Sequence, residues 1–408
     1  VTVISELRMR PVIANRWGWD ASVTVRLVLA GLVFSVLLIG ANLATPIYPL
    51  LQAKLGLSAF DVTVAFSTYV LALIAGLLLM GHWSDHMGRR AALVVAVFVG
   101  IIGGLVFSMA DGLLTLSLGR ALQGASVALA TGASSAALRE MLPHRPEWAS
   151  RFTLLASAGG VAAGPVIGGL LSILPDPTRV PFQLHVAVLV LMLIPLLALK
   201  ARPAISPAMD GPMKALKPRV PTVSKEAGST FWMASIIGFL SFSVFGFTLS
   251  LAPTYFAEIA HASSPASVGI LAAIVLMASA VSQLIAMRGR FVVPVGLCFM
   301  AAGVALIPVA GMLGSLPLLI GACIAAGSGQ GFAFRVAFND VALKVESSRH
   351  AQIISMLYVI TYLGSALPVL GLGMAAGIWG LPASVAFFSG AIALACLLLA
   401  GVALRRVP

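Results

Sequence analysis

Acidic side chains are scarce in this chain. Only 13 Asp and Glu stand against 25 Lys and Arg in 408 residues, and together they make just 9% of the sequence. A soluble domain carries about 25% charged residues, so this chain has too little polar surface to cover itself in water. Cysteine is nearly absent as well. Cys298, Cys323 and Cys396 all lie in apolar runs, which excludes a disulfide framework and a thiolate metal site; such thiols behave as small hydrophobes. Clustered His, Asp, Glu or Cys within an apolar run is also missing. The six His (His82, His86, His144, His185, His261 and His350) fall near run ends or between runs. An enzyme site inside a bilayer would need such a cluster, so an enzyme is not expected, and neither is a cofactor or a metal.

What is present is apolar: 60% of the residues are hydrophobic and the mean hydropathy is +1.06. In lipid the backbone must satisfy its own hydrogen bonds, which leaves helices or a closed barrel. The runs are too long and too little alternating for barrel strands. Twelve runs are countable, near 27–50, 60–80, 91–110, 113–138, 151–173, 181–200, 231–256, 266–287, 291–311, 316–338, 351–374 and 381–404. The sixth and seventh are separated by the longest polar stretch, rich in Pro, Lys and Ser, which reads as a linker. The expected fold is an all-α membrane protein of 12 transmembrane helices in two six-helix bundles. Its parts are an N-terminal segment 1–26, a bundle over 27–200, a linker 201–230, a bundle over 231–404 and a tail 405–408.

Basic residues set the orientation. Arg8, Arg10, Arg16, Arg89, Arg90, Arg139, Arg145, Lys214, Lys217, Arg288, Arg290, Arg405 and Arg406 fall on one side, while Lys54 and Arg179 fall on the other. By the positive-inside rule both termini and the linker are cytoplasmic, in an inner membrane. The net charge of +12 is then topological, and nucleic acid is not an expected partner. The run after Arg26 is too long for a cleaved signal core. The halves echo each other: Gln123-Gly124 has a counterpart in Gln330-Gly331, and Gly88-Arg89 in Gly289-Arg290. Two related bundles place a substrate site at their interface near mid-membrane.

Four motifs carry more. Gly81-x-x-x-Asp85-x-x-Gly88-Arg89-Arg90 lies between spans two and three, Arg120-x-x-Gln123-Gly124 in span four, and Gly160-x-x-x-Gly164-Pro165-x-x-Gly168-Gly169 in span five. Ile39-Gly40 followed by Pro46, Ile47 and Pro49 lies in span one. Together they resemble the major facilitator superfamily, and in particular its twelve-helix drug:proton antiporters. In the signature loop the glycines permit tight turns. The resemblance implies that Asp85 pairs with the start of span eleven and with the end of span four, where Arg139 sits, as a latch between the bundles. The other reading makes Arg89 and Arg90 topology anchors and Asp85 a helix cap. His86 stands where the family usually has Arg or Lys.

Arg120 lies within a span, where a cation is costly unless paired or wet. It either lines the cavity with Gln123 beside it or snorkels to the outer surface. In span five, glycines at four-residue spacing let helices approach closely and Pro165 permits a kink. By resemblance this segment packs against span eight and seals the cavity. Pro46 and Pro49 permit bending near the outer mouth. The candidate cavity residues are Asn42, Tyr48, Phe242, Phe245, Tyr358, Tyr362 and Arg335. No carboxylate lies near the middle of a span. Asp61 and Glu258, at outer span ends, are candidates for coupling or simple solvated charges. The expected function is alternating-access, proton-coupled export of small amphipathic neutral or anionic organic molecules by a monomer, with the proton gradient as energy source. An importer, or a dedicated transporter of a sugar, amino acid or siderophore, is the alternative on the same fold.

Overall fold

The computed structural model describes residues 6–7, 18–142, 144–201, 228–260, 264–285, 289–344 and 350–405. Arg8, Arg10, Arg16, Lys214, Lys217, Arg288, Arg406 and most of the expected linker lie outside the described residues.

Twelve helices are long and apolar enough to cross a membrane: Val23–Leu55, Ala59–Met80, Arg89–Ser108, Leu113–Met141, Arg151–Leu171, Val180–Ala198, Gly228–Ser250, Pro265–Leu284, Val292–Leu313, Leu316–Val341, Ile353–Trp379 and Leu381–Arg405. They are called spans one to twelve below. Large apolar side chains on their surfaces, such as Phe387, Ile378 and Leu394, are well exposed, as a lipid solvent demands.

Two spans that read as continuous runs are interrupted. Span one is a helix over Val23–Asn42, a 3-10 turn over Thr45–Ile47 and a second helix over Tyr48–Leu55. Span seven ends at Ser250 and is followed by a separate helix over Ala252–Ile259. Each break coincides with prolines at the start of the following piece, Pro46 and Pro49 in one and Pro253 in the other. Proline lacks the amide that would continue the ladder.

Contacts divide the chain into two compact units that cut across the sequence halves. The first holds Val1–Ala41, Leu71–Gly164 and Thr178–Val220; the second holds Asn42–Val70, Pro165–Pro177 and Pro221–Pro408. The ends of spans one, two and five around Lys54 thus group with spans seven to twelve rather than with the rest of the first bundle.

In the first unit, span three packs on span four through glycine. A Cβ on Gly119 would lie 2.8 Å from the Phe107 amide nitrogen, and Ser126 donates to the Ala96 carbonyl at 2.7 Å. Phe107 and Phe182 pack beside this contact with centroids 4.2 Å apart and planes tilted by 39°. In the second unit, span seven meets span eleven where Gly246 faces the Ser365 carbonyl and Gly364 faces the Phe239 carbonyl, with no room for a side chain. Spans nine and ten meet the same way at Gly296, whose Cβ would lie 2.8 Å from the Gly329 carbonyl oxygen. Without a hydrophobic drive between helices in lipid, this close backbone approach is what holds them.

Candidate functional site

The signature loop is a short helix, Trp83–Met87, closed by Gly88. Gly88 has φ +92° and ψ 151°, a backbone region that side chains disfavour, so the glycine is required where the chain turns into span three. Arg89 then reaches back. It pairs with Asp85 at 2.7 Å and with Glu140 at the end of span four at 2.6 Å, and it donates to the Ser84 hydroxyl. The first-unit partner of Asp85 is therefore Arg89. Arg139, the expected partner, is exposed, and its neighbour Glu140 supplies the contact from span four. Helix geometry explains the exchange: the carboxylate one position further on faces the loop. The sequence offered Glu140 as a signal, since an acid beside an arginine cluster is a natural ion-pair partner. Gly81 lies in the turn before this helix, with its carbonyl oxygen 2.6 Å from where a Cβ on Gly132 would sit.

Arg90 serves a different end. It pairs with Glu6 at 2.7 Å and donates to the carbonyls of Leu197 and Leu199, where span six ends. His82 and His86 sit edge to face with centroids 5.8 Å apart, and His86 is 9% exposed.

Arg120 is 1% exposed, so it does not snorkel. Its guanidinium donates to the Ala41 carbonyl and to Gln123 Oε1 at 2.8 Å. Ala41 is next to last in the helix Val23–Asn42, where carbonyls lack the amides of a following turn. A guanidinium at a helix C-terminus meets both free acceptors and the negative end of the dipole. Arg120 thus caps the break in span one, and Asn42, 3% exposed, closes that helix. Close by, His185 of span six is 9% exposed; its Nε2 lies 2.9 Å from the Val36 carbonyl, and its ring rests against Gly40. His185 lies in the second turn of span six, which begins at Val180.

The span-five motif divides between the units. In the first, Gly160 lies against span one, where its Cβ would be 2.8 Å from the Ser35 carbonyl oxygen. Gly164, the last residue of that stretch, is buried. In the second, Gly168 faces the Leu43 carbonyl at the break of span one. A Cβ on Gly169 would lie 2.7 Å from the Pro265 carbonyl oxygen at the start of span eight. Pro165, inside its helix, presents its carbonyl to Gly269 of span eight, with Pro46 alongside. Around this contact Thr45 donates to the Leu249 carbonyl at 3.2 Å, Thr254 donates to Gln52 Oε1 at 2.9 Å, and Lys54 pairs with Asp176 at 3.2 Å. The two interrupted spans meet here.

The aromatic candidates form a cluster on spans seven, ten and eleven. Phe242 lies 5.5 Å from Phe245, 5.8 Å from Phe334 and 5.2 Å from Tyr362. Phe334 continues to Phe338 at 5.6 Å, Phe338 to Tyr358 at 5.3 Å, and Tyr358 to Tyr362 at 6.2 Å. These rings are half-buried, unlike Phe231, Phe247 and Phe256, which are fully enclosed. The sequence reading missed Phe334 and Phe338, although their four-residue spacing on one helix face was visible.

Other candidates have structural employment. Tyr48 is 1% exposed; it starts the helix after the break and is packed inward, not open to a cavity. Arg335 donates to the carbonyls of Gln283 at 2.6 Å and Ile285 at 2.8 Å, capping the end of span eight. Asp61 Oδ2 accepts from the Ser58 amide at 2.8 Å and hydroxyl at 2.7 Å, and Ser58 Oγ accepts from the Asp61 amide. That is a reciprocal cap at the start of span two. Glu258 is exposed. Pro49 lies in the first turn of its helix, where a missing amide costs nothing.

The sequence profile of the Major Facilitator Superfamily matches residues 29–368, and the chain belongs to that superfamily. It is a multi-pass membrane transporter, not an enzyme. Among characterised relatives, it is 28% identical over 170 residues to a chloramphenicol resistance protein of Pseudomonas aeruginosa, covering 40% of this chain and 38% of the relative. It is 29% identical over 157 residues to the class E tetracycline resistance protein of Escherichia coli, covering 36% and 37%. It is also 28% identical over 149 residues to the uncharacterised MFS-type transporter Rv1877 of Mycobacterium tuberculosis, covering 36% of this chain and 22% of that one. The aligned stretch thus spans well under half of each relative. In fold, the nucleoside transporter NupG superposes with a TM-score of 0.74 at 13% identity, covering 95% of this chain and 100% of that one. A bacterial homologue of the human lysosomal transporter Spinster gives 0.70 at 17% identity, covering 94% and 95%.

Proposed function

We propose that the protein is a proton-coupled exporter of small amphipathic, neutral or anionic organic molecules, acting as a monomer by alternating access in an inner membrane with both termini cytoplasmic. The observation that carries the reading is the backbone contact of Pro165 and Gly169 in span five with Gly269 and Pro265 in span eight. That contact between the motif associated with antiporters and span eight supports a seal that a rocking motion would open. The relatives named for chloramphenicol and tetracycline resistance support export of organic solutes. The half-buried aromatic cluster supports an amphipathic solute, since such sites are apolar with a few polar groups. Charge supports the rest. Within the candidate spans the acids are Asp61, Glu140 and Asp340, each near a span end, so no carboxylate offers itself to a central dication.

The test uses sealed inside-out vesicles carrying the protein, acidified inside, with tetracycline and chloramphenicol as probes. Saturable uptake that collapses with a protonophore is expected. Uptake indifferent to the gradient, or driven only in right-side-out vesicles, would replace export by antiport with a uniporter or an importer.

A further inference from the structure

The segment before span one is described at two places, Glu6–Leu7 and from Gly18 onward, and both are tied to the same spot. Glu6 is 3% exposed. Its Oε2 accepts from Arg90 Nε at 3.0 Å and from the terminal NH2 group at 2.7 Å. The remaining arm of Arg90 donates to Leu199, with a longer contact to Leu197 at 3.3 Å. A few residues on, Trp19 donates its amide to the Ala198 carbonyl at 2.7 Å and accepts from the Lys200 amide at 2.9 Å, a single β-bridge. Arg26 donates to the Lys200 carbonyl at 3.1 Å and pairs with Asp20 at 3.5 Å.

Four consecutive residues at the exit of span six, Leu197–Lys200, are therefore held by the N-terminal segment and by a signature-loop arginine. The stretch that follows them joins the halves of the sequence. Arg90 and Arg89 are neighbours on one turn, so the loop has two arms: Arg89 gathers Asp85 and Glu140, while Arg90 gathers Glu6 and span six. A cavity of about 90 Å³ lies between these arms, lined by Arg26, Ser84, Arg89, Arg90 and Glu140 among others. Arg90 also donates to backbone carbonyls, and the Glu6 oxygen that accepts from both its Nε and its NH2 orients the fork toward the N-terminal segment.

We propose that Glu6 is a positioning residue of the signature loop, holding Arg90 against the exit of span six so that the N-terminal segment takes part in the conformational cycle. This rests on the reading of the chain as an alternating-access transporter whose loop biases that cycle. The signature motif alone does not require it, because Glu6 lies far upstream of the motif and its pairing is set by this chain's own N-terminal segment. Without an acceptor at Glu6, Arg90 loses the two hydrogen bonds that tie it to the N-terminal segment.

The test is made on full-length protein with Cys298, Cys323 and Cys396 replaced by Ala, and with spin labels at exposed His144 and Asn339, one in each sequence half. Distance distributions by electron–electron double resonance report the conformational populations without any solute. Glu6→Ala is expected to change the ratio of the two main populations at least threefold, in the same direction as Asp85→Asn. Glu6→Gln, whose amide oxygen still accepts from Arg90, is expected to stay within twofold of the parent. That variant, with monodispersity checked in detergent, also separates misfolding from loss of positioning. If Asp85→Asn shifts the populations and Glu6→Ala does not, the role of Glu6 is refuted and the loop reading stands. If neither shifts them, both fall. If Glu6→Gln shifts them as far as Glu6→Ala, positioning by an acceptor is refuted.

Discussion

At the scale of single residues, Arg120 is the most informative. A cation 1% exposed inside a span is tolerable because it serves acceptors that need it: the Ala41 carbonyl at a helix end and Gln123 Oε1. The site is thus built into the protein's own frame and does not wait for a solute. Arg120→Ala leaves a buried carbonyl without its donor, at a cost of about 1–3 kcal/mol; Arg120→Lys keeps the charge but not the planar fork. Solute binding by the purified protein is expected to survive Arg120→Lys within about threefold while vesicle transport falls more than tenfold, a difference of about 1.4 kcal/mol or more in the barrier. Equal loss of both would place the guanidinium on the solute.

Glu6 gives a residue-scale prediction in pH. Burial raises its carboxyl above the ordinary 4.5, against the opposing pull of Arg90. Between the ordinary and the raised value the folded protein holds more proton than the unfolded chain. Its contribution to stability is therefore fully present below 4.5 and is lost as pH rises through the raised value. Thermal unfolding in detergent from about pH 4 upward is expected to show this fall in the parent and a flatter profile in Glu6→Gln.

At the scale of elements, the proposed transport cycle assigns its bending points to the interrupted helices and its seal to the span-five contact. Pro46 and Pro49 were legible as chain-bending residues, and the glycines of span five as a close-packing face, whereas Pro253 was not singled out. The sequence could not show that Thr45 reaches the Leu249 carbonyl or that Thr254 reaches Gln52, because such pairs depend on tertiary register and carry no periodicity. For the same reason Arg335 read as a cavity charge while the structure spends it on the carbonyls of Gln283 and Ile285. Asp61 read as either a coupling candidate or a solvated span-end charge, although Ser58 three residues earlier spelled a cap. Twelve spans and their order were plain from hydropathy, whereas the grouping of the Lys54 end with spans seven to twelve was not, since it reflects contacts and not composition. Gly269 tests the element argument. A Cβ there collides with the Pro165 carbonyl, whereas a Cβ on Gly371 meets nothing within 4 Å. Gly269→Val is expected to abolish vesicle transport with the protein still inserted, and Gly371→Ala to leave transport unchanged and helix stability slightly raised. Full activity in Gly269→Val would remove the span-five contact from the mechanism.

At the scale of the whole molecule, the proposed function makes the charge pattern the filter on what is carried. The chain concentrates its acids at span ends and outside the spans, so a doubly charged cation meets no carboxylate in the middle of a described span and faces a desolvation penalty of several kcal/mol. A bis-quaternary dye is expected to be neither transported nor to compete with tetracycline at concentrations where a neutral or anionic aromatic solute does. Saturable dication transport would contradict the charge argument and leave the fold untouched.

Coupling is tested most directly by recording interior pH and solute in the same inside-out vesicles. One pH unit supplies about 1.4 kcal/mol per proton, enough for a roughly tenfold accumulation of a neutral solute exchanged for one proton with the membrane potential clamped at zero. Adding chloramphenicol or tetracycline to acid-loaded vesicles is predicted to discharge the interior acid in step with solute entry, in a fixed ratio, with both signals lost in Asp85→Asn. Solute entering to the same level with interior pH unchanged would contradict the account.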